Sequence, residues 1–176
     1  MKYLIPLILL AMLAGCQSVS SLRDYNTPEL TINHSTINED EYRNVREIAG
    51  PKQYFDTASN SGSFFFLTYH DGDIKKGTKL IIQVTQPQWS FYDEAYWAPG
   101  VPAKLVKVND NVGAGSMGGA YVQEVVALEM PEGMLEEYAQ SGKDLNPMLY
   151  GKSNSKKIKV QNAYIKGFYQ FLEENR

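Results

Sequence analysis

From residue 38 onward the spacing of apolar positions changes several times, and each change marks an element. Phe64-Phe65-Phe66-Leu67-Thr68-Tyr69 is a short bulky run bounded by Ser-Gly and by Asp71-Gly72, which predicts a buried strand. Thr78 to Thr85 alternates Leu80, Ile82 and Val84 with Lys79 and Gln83, and predicts a second strand. The stretch 70–77 between them reads as a hairpin connection. Ala103 to Val108 and Tyr121 to Met130 predict two further strands on either side of a glycine-rich break over 109–119. Leu145 to Tyr150 and Lys156 to Val160 predict a hairpin around Ser153-Asn154-Ser155, with Lys157 and Lys159 on a wet side that discourages edge-to-edge association.

Helical spacing occurs three times. Asn38 followed by Glu39, Asp40 and Glu41, with Tyr42, Val45 and Ile48 about one turn apart, predicts a short helix ending near Gly50-Pro51. Pro131 at a first helical position and Gly142 at an end predict another, with Met134, Leu135 and Tyr138 on one face. Behind a cap at Asn162, the residues Ile165, Phe168, Tyr169 and Leu172 fall at i, i+3, i+4 and i+7. The polar side of that amphipathic helix carries Glu173 and Glu174 against Lys166, so docking on a sheet is expected rather than binding to a membrane. Short loops and the lack of an internal repeat predict one α+β domain over 38–176. Its expected architecture is a mostly antiparallel sheet or sandwich with two or three helices, including the amphipathic C-terminal one.

The amino end follows a different pattern. After Lys2, residues Tyr3 to Leu13 form an almost unbroken apolar run, too brief to span a bilayer comfortably. It closes on Leu13-Ala14-Gly15-Cys16. That ending resembles the lipobox of bacterial lipoproteins, and the resemblance covers residues 1 to about 17. It implies that residues 1–15 are an export signal and that Cys16 becomes the acylated first residue of the mature chain. Each buried methylene adds roughly 0.8 kcal/mol of membrane attachment, so two or more acyl chains hold stably. Gln17 stands where an aspartate would resemble an inner-membrane retention signal. The resemblance therefore implies anchoring in the outer membrane with the domain facing the periplasm. Residues 16–37 mix Ser, Asn, Thr and Pro with isolated apolar residues and predict a flexible tether, in which His34 is expected to be solvated.

Composition narrows the partners. The formal net charge is −3, and Lys156-Lys157-Lys159 is the sole basic cluster, which argues against nucleic acid and against a polybasic membrane patch. Cys16 is the one cysteine, so no disulfide can form within the chain and the fold must hold by burial. Twelve tyrosines suit a strand-rich domain.

Three constellations carry candidate chemistry. Gly113, Gly115 and Gly118 match G-x-G-x-x-G, a dinucleotide-binding pattern in which a strand ends and a helix begins at the glycines. Here Asn109-Asp110-Asn111 interrupts the strand before them and Val122, Val125 and Val126 lean toward strand after them, so a hairpin loop is expected and no dinucleotide. His70, Asp71 and Asp73 have the residue types of a metal site, yet Asp71-Gly72 is what a turn selects and the spacing matches no metal motif, so no metal is expected. The third is the aromatic stretch Trp89 to Trp97. As a strand it would place Trp89 and Phe91 on one face and Ser90 and Tyr92 on the other, beside Asp93 and Glu94. Exposed Trp and Tyr near carboxylates suit stacking on sugars or gripping a protein, which makes Trp89, Phe91, Tyr92, Tyr96 and Trp97 the candidate binding residues.

Catalytic parts are scarce. There is no G-x-S-x-G elbow and no thiol beyond Cys16, and His34 and His70 are the only histidines. Asp93, Glu94 and Glu124 are loose candidates for a carboxylate-based envelope hydrolase, although adjacent acids on a strand point apart and cannot flank one bond. The expected function is thus a non-catalytic envelope lipoprotein without a cofactor, binding or supporting another envelope protein or a glycan. A hydrolase and a structural spacer are the alternatives.

Overall fold

The computed structural model describes residues 24–57, 60–72, 74–114 and 119–175. The leader, Cys16, Asp73, Gly115 and Gly118 lie outside the described residues. In chain order the first elements are α1 (Pro28–His34), β1 (Thr36–Asp40), β2 (Val45–Ala49), β3 (Gln53–Thr57), β4 (Asn60–Asp71), β5 (Ile74–Gln86), β6 (Tyr92–Trp97) and β7 (Val101–Pro102). After them come β8 (Lys104–Ala114), β9 (Ala120–Glu129), α2 (Met134–Ser141), β10 (Met148–Gly151), β11 (Ser155–Lys157) and α3 (Asn162–Glu174).

Two antiparallel sheets result, an α+β arrangement closed by the C-terminal helix. The larger has the order β1-β2-β4-β5-β9-β8, and β3 continues the line of β2 along the long β4, pairing Gln53 with Phe64. The smaller has the order β11-β10-β6-β7. Even-numbered positions of β4 and β5 face inward, so Phe64, Phe66, Leu80, Ile82 and Val84 are buried beside Val126 and Leu128 of β9. Against them pack Tyr164, Ile165, Phe168 and Leu172 of α3, with Tyr92, Ala95, Trp97 and Leu149 of the small sheet. Each large apolar side chain among them contributes about 1.5–3 kcal/mol by leaving water, which is how the fold holds without a crosslink.

Tyr164 is the hub of this interior. Its ring stacks on Phe66 and meets Phe64 edge-on, both at 5.5 Å between centroids. Its hydroxyl donates to the Pro51 carbonyl at 2.8 Å and accepts the Phe66 N–H. Gly50 leaves space for that hydroxyl, because a Cβ there would lie 2.7 Å from it.

Five expectations need correction. Residues 38–50 form the β1–β2 hairpin and no helix: Ile37 pairs with Ile48, Glu39 meets Arg46 at 3.1 Å, and Tyr42 stands fully exposed in the turn. The spacing of Tyr42, Val45 and Ile48 mimics a helical face, but pairing of β2 with β4 decides the outcome. The second part of the predicted tether belongs to the fold. Tyr25 and Thr31 are buried, and α1 lies against α3 where Gly167 admits the Pro28 backbone. His34, expected in solvent, is half-buried at the end of α1, with Nδ1 2.8 Å from the Leu30 carbonyl and its ring edge-on to Tyr25.

The other two concern helix starts. The second helix begins at Met134, three residues beyond Pro131, and ends at Gly142 with φ 71°. Asn162 is the first residue of α3 and is itself capped: its N–H donates to Asp144 Oδ1 at 2.9 Å. The cap therefore comes from the preceding loop. Pairing of Leu145 with Val160 holds the two in reach.

Candidate functional site

The aromatic stretch does not form one face. It divides into a crossover, 87–91, which carries the chain from β5 to the small sheet, and the strand β6. In β6 the partner β10 pairs Tyr150 with Glu94 and Gly151 with Tyr92, so Asp93 is an extra residue that shifts the register. That bulge turns Tyr92 to the same side as Ala95 and Trp97, and all three are buried. Tyr92 and Trp97 are core residues, and their assignment to a binding surface is corrected: the strand that carries them is needed to close the interior. Burial pushes the Tyr92 phenol above its ordinary pKa, and the nearby Glu124 charge pushes the same way. Its hydroxyl lies near the Ser90 and Gln86 side chains without reaching hydrogen-bond geometry with either.

Tyr96 projects to the other side of the small sheet. There Glu94, Tyr96, Pro99, Asn146, Met148 and Tyr150 line an open groove of about 530 Å³. The Tyr96 and Tyr150 rings meet edge-to-face, 5.7 Å apart with an interplanar angle of 87°. The Tyr96 hydroxyl reaches Glu94 at 3.4 Å, and Tyr150 is 42% exposed. The turn 98–100, which contains a cis Ala98–Pro99 peptide, walls one end and is tied to α2 by the Tyr138 hydroxyl on the Ala98 carbonyl. Two aromatic rings with a carboxylate acceptor and an amide among them can hold a flat C–H face while accepting hydroxyl or amide hydrogens.

Trp89 and Phe91 occupy the crossover. Their rings stack at 5.9 Å, Phe91 is 43% exposed, and Lys152 Nζ lies 5.8 Å from the Phe91 centroid. Phe91 has φ 53°, a conformation that a bulky residue rarely adopts.

Beneath the crossover lies Glu124, and its role is one the sequence reading missed. Its side chain leaves β9 on the core face of the large sheet, opposite Val84, and the residue is 2% exposed. The carboxylate accepts the Ser90 N–H at 2.8 Å, the Tyr92 N–H at 3.2 Å and the Gln86 amide at 2.9 Å. Gln86 also donates to Ser90 Oγ at 2.7 Å. A signal was present: Glu124 shares its alternation phase with Val122, Val126 and Leu128, which places an acid on the buried side. With three donors on it, Glu124 is a clamp on the chain. Asp93 and Glu94 stand exposed, so the three acids are not brought together as a catalytic set.

The remaining candidates sit in turns. Gly113 is inside β8 under the Tyr121 ring, and the next element among the described residues is the strand β9 and not a helix. Asp71 is paired with Lys76 at 3.3 Å at the β4–β5 turn, and among the described residues no three His, Cys, Asp or Glu side chains converge. Compared with protein-family models, curated proteins and solved structures, the chain matches none.

Proposed function

We propose that the chain is a lipid-anchored lipoprotein of the bacterial cell envelope, a non-catalytic module that binds another envelope component. It is held at the outer membrane through Cys16, with its domain in the periplasm. The anchor is supported by Leu13-Ala14-Gly15-Cys16 alone. The binding role rests on the Tyr96–Tyr150 groove, whose partly exposed rings and free carboxylate edge suit a glycan or an extended peptide. Glu124 already holds three donors, and Asp93 and Glu94 face water. A binding surface is therefore better supported than a carboxylate reaction centre.

The test has two parts. Mass spectrometry of the native protein is expected to find residues 1–15 removed and Cys16 acylated, and an intact leader on an unmodified thiol overturns the anchor. A photo-crosslinking side chain at position 150 is expected to yield a discrete envelope adduct that disappears in Tyr96→Ala. An adduct pattern indifferent to Tyr96 overturns the groove.

A further inference from the structure

One end of the molecule gathers three connections. The crossover 87–91 leaves β5 after Gln86, whose partner across the sheet is Val122, so the described ends of the β8–β9 hairpin, 112–114 and 119–121, lie beside it. The β10–β11 turn joins them through Ser153 Oγ, which donates to the Trp89 carbonyl at 2.7 Å. At the described ends of that hairpin Val112 is 69% exposed and Tyr121 36%, and in the crossover the Trp89 and Phe91 rings stack on each other. In a chain of net charge −3, residues 87–91, 112–114, 119–121 and 152–154 hold one charged side chain, and it is Lys152.

The backbone is arranged to present this surface. Glycine would occupy the Phe91 position without strain, yet the chain holds a phenylalanine there at φ 53° and turns its ring outward. The Glu124 carboxylate grips the N–H groups on either side of it, Ser90 and Tyr92, and Gly151 gives the Ser90 carbonyl room. A buried acid thus fixes the geometry of an aromatic pair in which Trp89 is half-buried and Phe91 is exposed.

We propose that this end is a membrane-docking tip: Trp89 and Phe91 enter the headgroup layer of an anionic bilayer, and Lys152 meets lipid phosphate. Trp and Phe beside a lysine are the side chains that settle at that depth, and the single positive charge complements the anionic surface. The inference rests on the lipid-anchor reading in one respect. The eight residue-to-residue steps from Cys16 to Asp24 reach at most ~29 Å, so an anchored domain stays close to the bilayer.

The chain has two tryptophans, Trp97 sealed in the core and Trp89 at the tip, which makes fluorescence selective. The lipidated protein is reconstituted in vesicles of phosphatidylethanolamine with a minority of phosphatidylglycerol, carrying bromine high on the acyl chains. Wild type is expected to lose its Trp89 emission in these vesicles, whereas Trp89→Phe loses none. Phe91→Gly, which suits the backbone, and Lys152→Glu are each expected to abolish the quenching while flotation with vesicles is unchanged. Flotation without quenching, as a protein-binding tip would give, overturns the docking and leaves the anchor standing. Quenching that survives both substitutions also overturns it. If Cys16 is unmodified and the protein does not float, the anchor fails; excess vesicles are then added to the free protein, and unquenched Trp89 overturns the tip as well.

Discussion

The carboxylate of Glu124, in the middle of β9, lies 2.8 Å from the backbone nitrogen of Ser90, thirty-four positions earlier in the chain. This contact fixes where the chain leaves the large sheet and enters the small one. A charged acceptor with three buried donors is worth far more present than absent, because its removal leaves all three unpaired in a dry site.

Glu124→Ala is accordingly expected to destabilise the domain by about 3 kcal/mol or more, and Glu124→Gln by about 1–2 kcal/mol, since the amide keeps the shape and loses one acceptor. Urea denaturation of both variants measures the difference. Equal stability of Glu124→Ala and wild type contradicts the clamp.

Trp97 and Tyr96 are neighbours with opposite fates. Trp97→Ala empties a fully buried site and is expected to cost about 3–5 kcal/mol. Tyr96→Ala removes a ring from the groove and is expected to cost under about 1 kcal/mol while weakening ligand capture. Melting curves separate the two, and a severe loss of stability in Tyr96→Ala would show that the groove face is part of the core.

Asp144 caps α3 from outside it. The Asn162 N–H holds its carboxyl below the usual pKa, and Lys159 at 3.1 Å adds to this. A depressed folded pKa stabilises above the unfolded value of 3.8 and is lost as pH falls through the folded one. Asp144→Ala is expected to cost about 1 kcal/mol at neutral pH and to shrink the loss of stability on acidification below about pH 4. An unchanged acid limb in the variant refutes the cap.

Tyr164 titrates in the other direction. Burial pushes its phenol well above the ordinary value of 10.0. Once pH passes that value, the unfolded chain ionises while the folded one does not, so stability is full below pH 10 and falls above it. Tyr164→Phe is expected to cost about 1–2 kcal/mol at neutral pH, through the orphaned Pro51 carbonyl and Phe66 N–H, and to flatten the alkaline decline. Denaturation midpoints from pH 8 to 11 test both signs.

What the chain spells out locally, it spells clearly. Leu80, Ile82 and Val84 predict a half-buried strand, and the 3.6-residue spacing of Ile165, Phe168 and Leu172 predicts α3. The β1–β2 hairpin was hidden because Tyr42, Val45 and Ile48 fit a helix equally well in a short window, and only the partner β4 distinguishes the two. The candidate site was half legible. The aromatic stretch marks the region, but the bulge at Asp93 decides which rings face water, and that depends on pairing with β10. Tyr150, fifty-four residues from Tyr96, became its partner through the same register. No nearby residue announces such a meeting.

At Gly167 the backbone of Pro28 comes so close that no side chain fits between α1 and α3. The first helix of the described chain is thus seated on the last. Any tension arriving through Asp24 is borne by this helical seam before it reaches the strands. Under load the molecule should yield first by shedding α1, with the sheets still intact.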